Sequence, residues 1–201
     1  MQLIYSPASP FVRKVRACLI ETGQSDDVEF VPVQTTPINV AAEARAANPS
    51  GKIPALIRDG APAIYDSRVI TRFLDDRAGG TLYPEARIWE VLTLEATADA
   101  IMDAAVLCIY EERTRPPELR SDDWVEAQWS KAAHAVSAVN ARWMSHLSGP
   151  LDMAQIAIGC ALGYLDFRHG ARGWRDGNDA LAEWFTAFSE RPSMKETVPS
   201  L

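Results

Sequence analysis

The pattern of apolar residues changes character near residue 80. Before that point short strand-like runs alternate with helical patterns, whereas only helical patterns follow it. Short alternating runs predict strands, and apolar residues spaced three and four apart predict helices. The chain therefore divides into an α/β N-terminal half and an all-helical C-terminal half. We predict domains at residues 1–79 and 85–201, joined by a linker at 80–84.

The N-terminal half opens with a strand–helix–strand pattern. Residues 3–5 form a short apolar run, and a helix is expected after them, with Ser9 as its N-cap and Pro10 at its first position. Residues 28–33 alternate in the manner of a second strand. Strands joined through a helix in this way run parallel in a βαβ unit, so we expect the two strands to be parallel.

Two further short strands are predicted at residues 54–58 and 62–65. They flank an Asp-Gly pair, which is typical of a β-hairpin. A third helix follows, and either Asp66 or Ser67 can start it. The order strand, helix, strand, hairpin, helix is that of a thioredoxin-like domain.

Four helical segments fill the C-terminal half. Two are long, at residues 85–113 and 122–147, and a last helix is predicted at 179–190. Between them, Asp152 and Gln155 form an acidic version of a capping box ahead of a nearly all-apolar helix. Such a helix belongs at the centre of a bundle. Tryptophans at helical spacing usually pack inside, so we expect a core position for Trp124, Trp129, Trp143 and Trp184.

Composition and charge exclude several classes of function. The 201 residues carry a formal net charge of −7, and no basic cluster is large enough for nucleic-acid binding. The three cysteines are far apart, with no Cys-x-x-Cys pair, so we expect neither a disulfide framework nor a metal site. No signal-peptide pattern and no apolar run of membrane-spanning length occurs. We therefore expect a cytoplasmic protein that does not bind membranes.

Three segments of the N-terminal half resemble motifs of the cytosolic glutathione transferase family, in its serine-type, bacterial-like form. They are Ser9-Pro10-Phe11, residues 48–56 (NPSGKIPAL) and residues 66–70 (DSRVI). The family usually has Val where Ile53 stands and Glu where Asp66 stands. The resemblance implies a thioredoxin-like domain followed by a helical bundle, with glutathione as co-substrate and no metal. It also implies a homodimer, in which the N-terminal domain of one subunit packs on the helical domain of the other.

Ser9 is the candidate catalytic residue that this resemblance implies. The free thiol pKa of glutathione should be near the cysteine value of about 8.5, and the thiolate is the nucleophile. A hydroxyl donor and a helix N-terminus both favour the anion, and Ser9 is suited to both effects. Phe11 belongs to the same motif, and Arg13 is a candidate source of positive potential. Ser6 is a competing candidate, since related families place the active serine at different points of this loop.

The other two motifs imply contacts with the rest of glutathione. In the family, Pro54 is cis and the residue before it, here Ile53, offers its backbone to the cysteinyl part of the tripeptide. Lys52 is a candidate for the glycyl carboxylate, although a solvated lysine is an equal alternative. Ser67 would hold the γ-glutamyl carboxylate, and Asp66 would face the α-ammonium group. The alternative for both serine motifs is a plain helix N-cap.

The leading hypothesis is an enzyme that adds the glutathione thiolate to a small, hydrophobic electrophile. Tyr110 and Cys108 on the long helix are second-substrate candidates by position only. Glutathione-dependent dehalogenation, isomerisation and peroxide reduction are alternatives that use the same thiolate. A second alternative is a non-catalytic protein-binding module resembling stringent starvation protein A. Serine at position 9 cannot form a mixed disulfide, which disfavours thiol–disulfide exchange.

Overall fold

The computed structural model describes residues 1–201 and divides the chain into two compact units. The first comprises Met1–Ile88 and Pro192–Leu201, and the second comprises Trp89–Arg191. The predicted order of an α/β half followed by an all-helical half is confirmed. The domain ranges given by the sequence stay a prediction, although residues 192–201 group with the first unit.

A four-stranded sheet forms the centre of the first unit. Its strands are β1 (Gln2–Tyr5), β2 (Glu29–Pro32), β3 (Ala55–Arg58) and β4 (Ala61–Ile64). They lie in the order β2-β1-β3-β4, in which β1 and β2 are parallel and the other neighbours are antiparallel. The predicted βαβ unit and hairpin are therefore both present.

Helices cover the two faces of this sheet. The helices of the first unit are α1 (Pro10–Glu21), α2 (Ala42–Ala47), α3 (Ser67–Arg77) and the single turn α9 (Pro192–Lys195). Ile4 and Ala55 pack with two alanines of α2 in one apolar cluster. Leu3 and Leu56 are fully buried on the opposite face, because successive strand side chains alternate between faces.

Helix α1 is buried more deeply than its sequence pattern suggested. The guanidinium of Arg13 is buried and donates to the carbonyl of Met194 at 3.0 Å and to the hydroxyl of Thr197 at 3.4 Å. Arg13 therefore ties α1 to the C-terminal segment. Both acceptors are neutral, so the expectation that Arg13 adds positive potential beside Ser9 stays a prediction.

The second unit consists of helices alone. They are α4 (Ile88–Thr114), α5 (Asp122–Arg142), α6 (Met144–Leu147), α7 (Met153–His169) and α8 (Asp179–Phe188). The predicted helix at 122–147 is wrong in one respect, because it breaks at Trp143 into α5 and α6. Helix α7 is buried along most of its length, as its apolar sequence predicts. No helix of the chain meets the length and hydropathy that a membrane span requires.

Candidate glutathione site

The strand register places the three sequence motifs at one end of the sheet. Ile4 of β1 lies opposite Ala55 at the start of β3, and Leu56 lies opposite Ile64 at the end of β4. The loop after β1, the segment before β3 and the turn after β4 therefore reach the same edge. These three segments carry Ser9, Ile53-Pro54 and Asp66-Ser67 respectively.

Ser9 is the N-cap of α1, as the sequence predicts. Its hydroxyl oxygen accepts a hydrogen bond from the backbone N–H of Val12 at 3.3 Å. The hydroxyl proton is therefore still available as a donor. Ser9 and the competing Ser6 are both partly exposed, and the N–H of Ser9 donates to the carbonyl of Ser6 at 3.1 Å. Phe11 lies in the first turn of α1 and is half-buried.

The segment before β3 offers an unused stretch of backbone. The Ile53–Pro54 peptide bond is cis, as the resemblance implies. Ile53 lies outside the strands, and neither its N–H nor its C=O takes part in a hydrogen bond of the protein. Asn48 fixes this segment from one side, since its side-chain amide donates to the carbonyl of Lys52 at 2.9 Å. The side chain of Lys52 is exposed.

The third segment starts α3 with an acid followed by a serine. The carboxylate of Asp66 caps the helix by accepting from the N–H groups of Arg68 at 3.0 Å and Val69 at 3.4 Å. Partial burial acts to raise the pKa of the Asp66 carboxyl, but the charge and hydrogen bonds of Arg68 together lower it. Asp66 is thus an anion at neutral pH, with an exposed side chain.

Ser67 occupies the first position of α3 and is buried, with 2% of its surface exposed. Its hydroxyl and its backbone N–H form no hydrogen bond within the protein. Free N–H groups at a helix N-terminus attract anions, because the helix dipole points its positive end there. Ser67 is therefore suited to hold a carboxylate.

The two second-substrate candidates on α4 differ in accessibility. Cys108 is fully buried, and its thiol donates to the carbonyl of Val125 at 3.5 Å. Burial raises the pKa of this thiol, which keeps it protonated. Cys108 therefore cannot contact a substrate in this structure, and we omit it from the proposed site. Tyr110 is partly exposed, and burial raises its pKa too.

Family comparisons agree with this geometry. Residues 8–77 match the model of the glutathione S-transferase N-terminal domain, and residues 122–187 match that of the C-terminal domain. The chain belongs to the glutathione S-transferase family. The observed four-stranded sheet with its helices, followed by a helical unit, is the fold of that family.

Solved structures of this family resemble the whole chain. A glutathione transferase family member from Pseudomonas fluorescens Pf-5, solved with bound glutathione, is 43% identical, with a TM-score of 0.96 and coverage of 100% of this chain and 99% of that chain. A glutathione S-transferase from Methylobacillus flagellatus KT, also with glutathione bound, is 32% identical, with a TM-score of 0.85 and coverage of 99% of each chain.

A curated relative is also similar along its full length. The uncharacterized GST-like protein YibF of Escherichia coli (strain K12) is 29% identical over 204 residues, covering 99% of this chain and 98% of that protein. The sequence motifs and the comparisons therefore assign the chain to the same family. The reaction that it catalyses is proposed from the site.

Proposed function

We propose that this chain is a glutathione S-transferase that binds glutathione at the edge of the sheet and activates its thiol through Ser9. The observation that carries the proposal is the convergence of three unused polar groups at one sheet edge. They are the hydroxyl proton of Ser9, the backbone of Ile53 and the hydroxyl of Ser67. Glutathione bound to relatives 43% and 32% identical to this chain supports the same ligand here.

Each part of the tripeptide has a matching group in the first unit. The free N–H and C=O of Ile53 would pair with the cysteinyl backbone in the manner of an added β-strand. The hydroxyl and N–H of Ser67 would hold the γ-glutamyl carboxylate, and the anionic Asp66 would attract the α-ammonium group. The exposed Lys52 would reach the glycyl carboxylate, and Phe11 would pack beside the ligand.

The proposed chemistry needs a stabilised thiolate. On binding, the thiol of glutathione would lose its proton to solvent. The Ser9 hydroxyl would then donate a hydrogen bond to the resulting thiolate. The N-terminus of α1 adds positive potential at the same place. Both effects lower the pKa of the bound thiol. The thiolate then attacks an electrophilic carbon, and a carbon–sulfur bond forms as a leaving group departs or a double bond accepts the electron pair.

The electrophile is proposed to be small, and a relative indicates what the sulfur can carry. The Pseudomonas fluorescens Pf-5 family member is also known with S-(propanoic acid)-glutathione bound, at 42% identity to this chain and a TM-score of 0.92. Its ligand carries a propanoic acid group on the sulfur. This supports a site in this chain that accepts a small substituent there.

Calorimetric titration of glutathione, with S-methylglutathione as a control, tests the proposal. We expect wild type to bind both, and Ser67→Ala to weaken both. Ser9→Ala should bind both nearly normally, yet show less thiolate absorbance with glutathione. Failure of wild type to bind glutathione would refute the transferase proposal in favour of a protein-binding module. Loss of the thiolate signal in Ser6→Ala but not Ser9→Ala would assign the role to Ser6.

We also propose a homodimer in the cytoplasm. Trp89 at the start of α4 is 77% exposed, and it borders a shallow groove of about 530 Å³ lined also by Leu92, Thr93, Ala96, Thr97 and Ala100. A large exposed tryptophan in an apolar groove is typical of an interface, and a second copy is the occupant that the family resemblance implies.

A further inference from the structure

Two arginines of the second unit lie close together without an acidic partner. Arg113 is in the last turn of α4, and Arg168 is in the last turn of α7. Neither forms a salt bridge, whereas nearby arginines do. Arg115 pairs with Glu111 at 2.8 Å, Arg172 with Glu126 at 2.8 Å, and Arg175 with Asp166.

The last residue of α7 contacts the C-terminal half of α4. A ring nitrogen of His169 lies 2.9 Å from the carbonyl oxygen of Ala105 in a buried hydrogen bond. The helical repeat then puts Tyr110 and Arg113 on one face of α4, three residues apart. Tyr164 and Arg168 share one face of α7, four residues apart. We call these four side chains the arginine–tyrosine cluster.

The four members of the cluster also act on one another electrostatically. Burial raises the pKa of Tyr164 to about 12, while Arg168 and Arg113 act to lower it and Tyr110 acts to raise it. Burial lowers the pKa of Arg168, and the like charge of Arg113 lowers it further. None of the groups acting on these two residues is a carboxylate.

Arg168 keeps one buried donor that nothing in the protein satisfies. Its side chain hydrogen-bonds to the phenol of Tyr164, but its Nε is buried and has no hydrogen-bond partner. Its guanidinium lies over the ring of Phe167, 4.1 Å from the ring centroid, in a cation–π contact. A buried donor without a partner costs about 1–3 kcal/mol, and two neighbouring like charges add to that cost. An anion in the cluster would remove both penalties.

We propose that the arginine–tyrosine cluster binds the carboxylate of a small organic acid, which is the second substrate of the proposed transferase. A guanidinium presents donors in a fork that matches a carboxylate, and it is cationic throughout the physiological range. The phenol of Tyr164, whose raised pKa keeps it protonated, supplies a further donor beside it. Tyr110, predicted from position alone, thereby gains a specific role next to Arg113.

This inference rests on the proposed function only in naming the ligand as a second substrate. The binding of a carboxylate can be measured in the absence of glutathione. We choose 4-chloro-3-nitrobenzoate and 4-chloro-3-nitrobenzamide as probes, since they share one reactive ring and differ in a carboxylate against a neutral amide. In turnover, a carbon–sulfur bond forms at the chlorine-bearing carbon, chloride leaves with the electron pair of the broken carbon–chlorine bond, and the thiol proton passes to solvent.

Calorimetry without glutathione tests the cluster by itself. Wild type should bind the benzoate about tenfold or more tightly than the benzamide. Arg168→Gln and Arg113→Gln should each abolish most of that preference. Arg142→Gln should keep it, because this exposed arginine at the end of α5 lies outside the cluster and its removal changes the net charge equally. Arg113 is also exposed, so Arg113→Gln should fold. This variant tests the carboxylate preference if Arg168→Gln does not fold.

Turnover then tests the assignment as a substrate site. The ratio of kcat/KM for benzoate over benzamide should fall about tenfold in both cluster variants, mainly through KM, and stay unchanged in Arg142→Gln. Equal binding of the two probes by wild type, or an unchanged preference in both cluster variants, would overturn the inference. If glutathione binding is lost while the preference for the carboxylate is intact, the transferase proposal is refuted. The assignment of the carboxylate ligand as a second substrate is then refuted too.

Discussion

Asp152 and Gln155 hold the start of α7 by bonding to each other's backbone. The N–H of Gln155 donates to the Asp152 carboxylate at 3.3 Å, and the N–H of Asp152 donates to the Gln155 side-chain oxygen at 3.0 Å. Both side chains are buried, and the second carboxylate oxygen of Asp152 lies 2.8 Å from the ring of His146. This capping box therefore joins α7, the central helix of the second unit, to α6.

We expect Asp152→Ala to destabilise the protein by about 2–4 kcal/mol, because it removes a buried cap and leaves His146 facing no carboxylate. Urea unfolding measures the change. Ser121→Ala is the matched control, since Ser121 caps α5 at an exposed position through the N–H of Trp124 at 3.2 Å. Ser121→Ala should lower the free energy of unfolding by about 1 kcal/mol. Equal effects of the two substitutions would contradict the special role of the buried box.

Removal of the Ser9 hydroxyl should reduce thiolate chemistry far more than it reduces stability. A hydrogen bond to an anion is worth about 1.5–3 kcal/mol, so kcat/KM for glutathione conjugation should fall about 10–100-fold in Ser9→Ala. The lost N-cap should cost only about 1 kcal/mol of unfolding free energy. Steady-state kinetics and thermal unfolding of the same preparation separate the two effects. An unchanged kcat/KM would show that Ser9 is only a cap.

Gly51, in the segment that leads to Ile53-Pro54, should not tolerate a side chain. Its φ is +68°, and an added Cβ would lie 2.6 Å from a methyl carbon of Val40. Gly60 has a similar φ of +69° with open space around it. We expect Gly60→Ala to cost about 1–2 kcal/mol from backbone conformation alone, and Gly51→Ala to cost about 1–3 kcal/mol more. Urea unfolding of both variants would isolate the steric part.

Ionisation of Tyr164 should limit stability at high pH. Its pKa is raised from 10.0 to about 12 in the folded protein, chiefly by burial. A raised pKa stabilises the fold fully below the unfolded value, so this contribution persists up to about pH 10 and is lost as pH rises to about 12. The fold should lose on the order of 2–3 kcal/mol across that window. Urea unfolding of Tyr164→Phe should show a shallower decline over the same range.

The exposed Trp89 should control the oligomeric state. We expect Trp89→Glu to shift the protein from dimer towards monomer in sedimentation velocity, because a carboxylate would be buried in an apolar interface. Trp124→Glu is the matched control, as Trp124 is 46% exposed on α5. It should leave the dimer intact. A monomeric wild type at micromolar concentration, or a dimer unaffected by Trp89→Glu, would contradict the proposed interface.

Local signals accounted for most of the fold and for the three glutathione motifs. Ser9 with Pro10, the Asp-Gly hairpin and the Asp152 box are short patterns in which neighbouring residues satisfy each other's backbone groups, so they can be read without tertiary contacts. Family resemblance added the cis bond before Pro54, which the structure contains. The roles of these residues in binding remain predictions.

The sequence did not predict features that depend on residues far apart in the chain. The predicted helix at 122–147 breaks at Trp143, and the end of the short α6 that follows is held by distant side chains. The carbonyl of Leu147 accepts from the indole of Trp184 at 2.9 Å and from the amide of Gln155 at 3.0 Å. The core position expected for Trp124 is wrong, because its helix face meets solvent. The short helix Pro192–Lys195 was not predicted either.

The sequence by itself determined the family, the order of elements and the capping residues, because periodicity and helix capping act over a few positions. Only the tertiary structure decided that Cys108 is fully buried and that the guanidinium of Arg13 hydrogen-bonds to the C-terminal segment. It also decided that Arg113 and Arg168 act on each other electrostatically without an acidic partner. Burial and charge pairing depend on which helices pack together, and residues 55 positions apart carry no local sign of that packing.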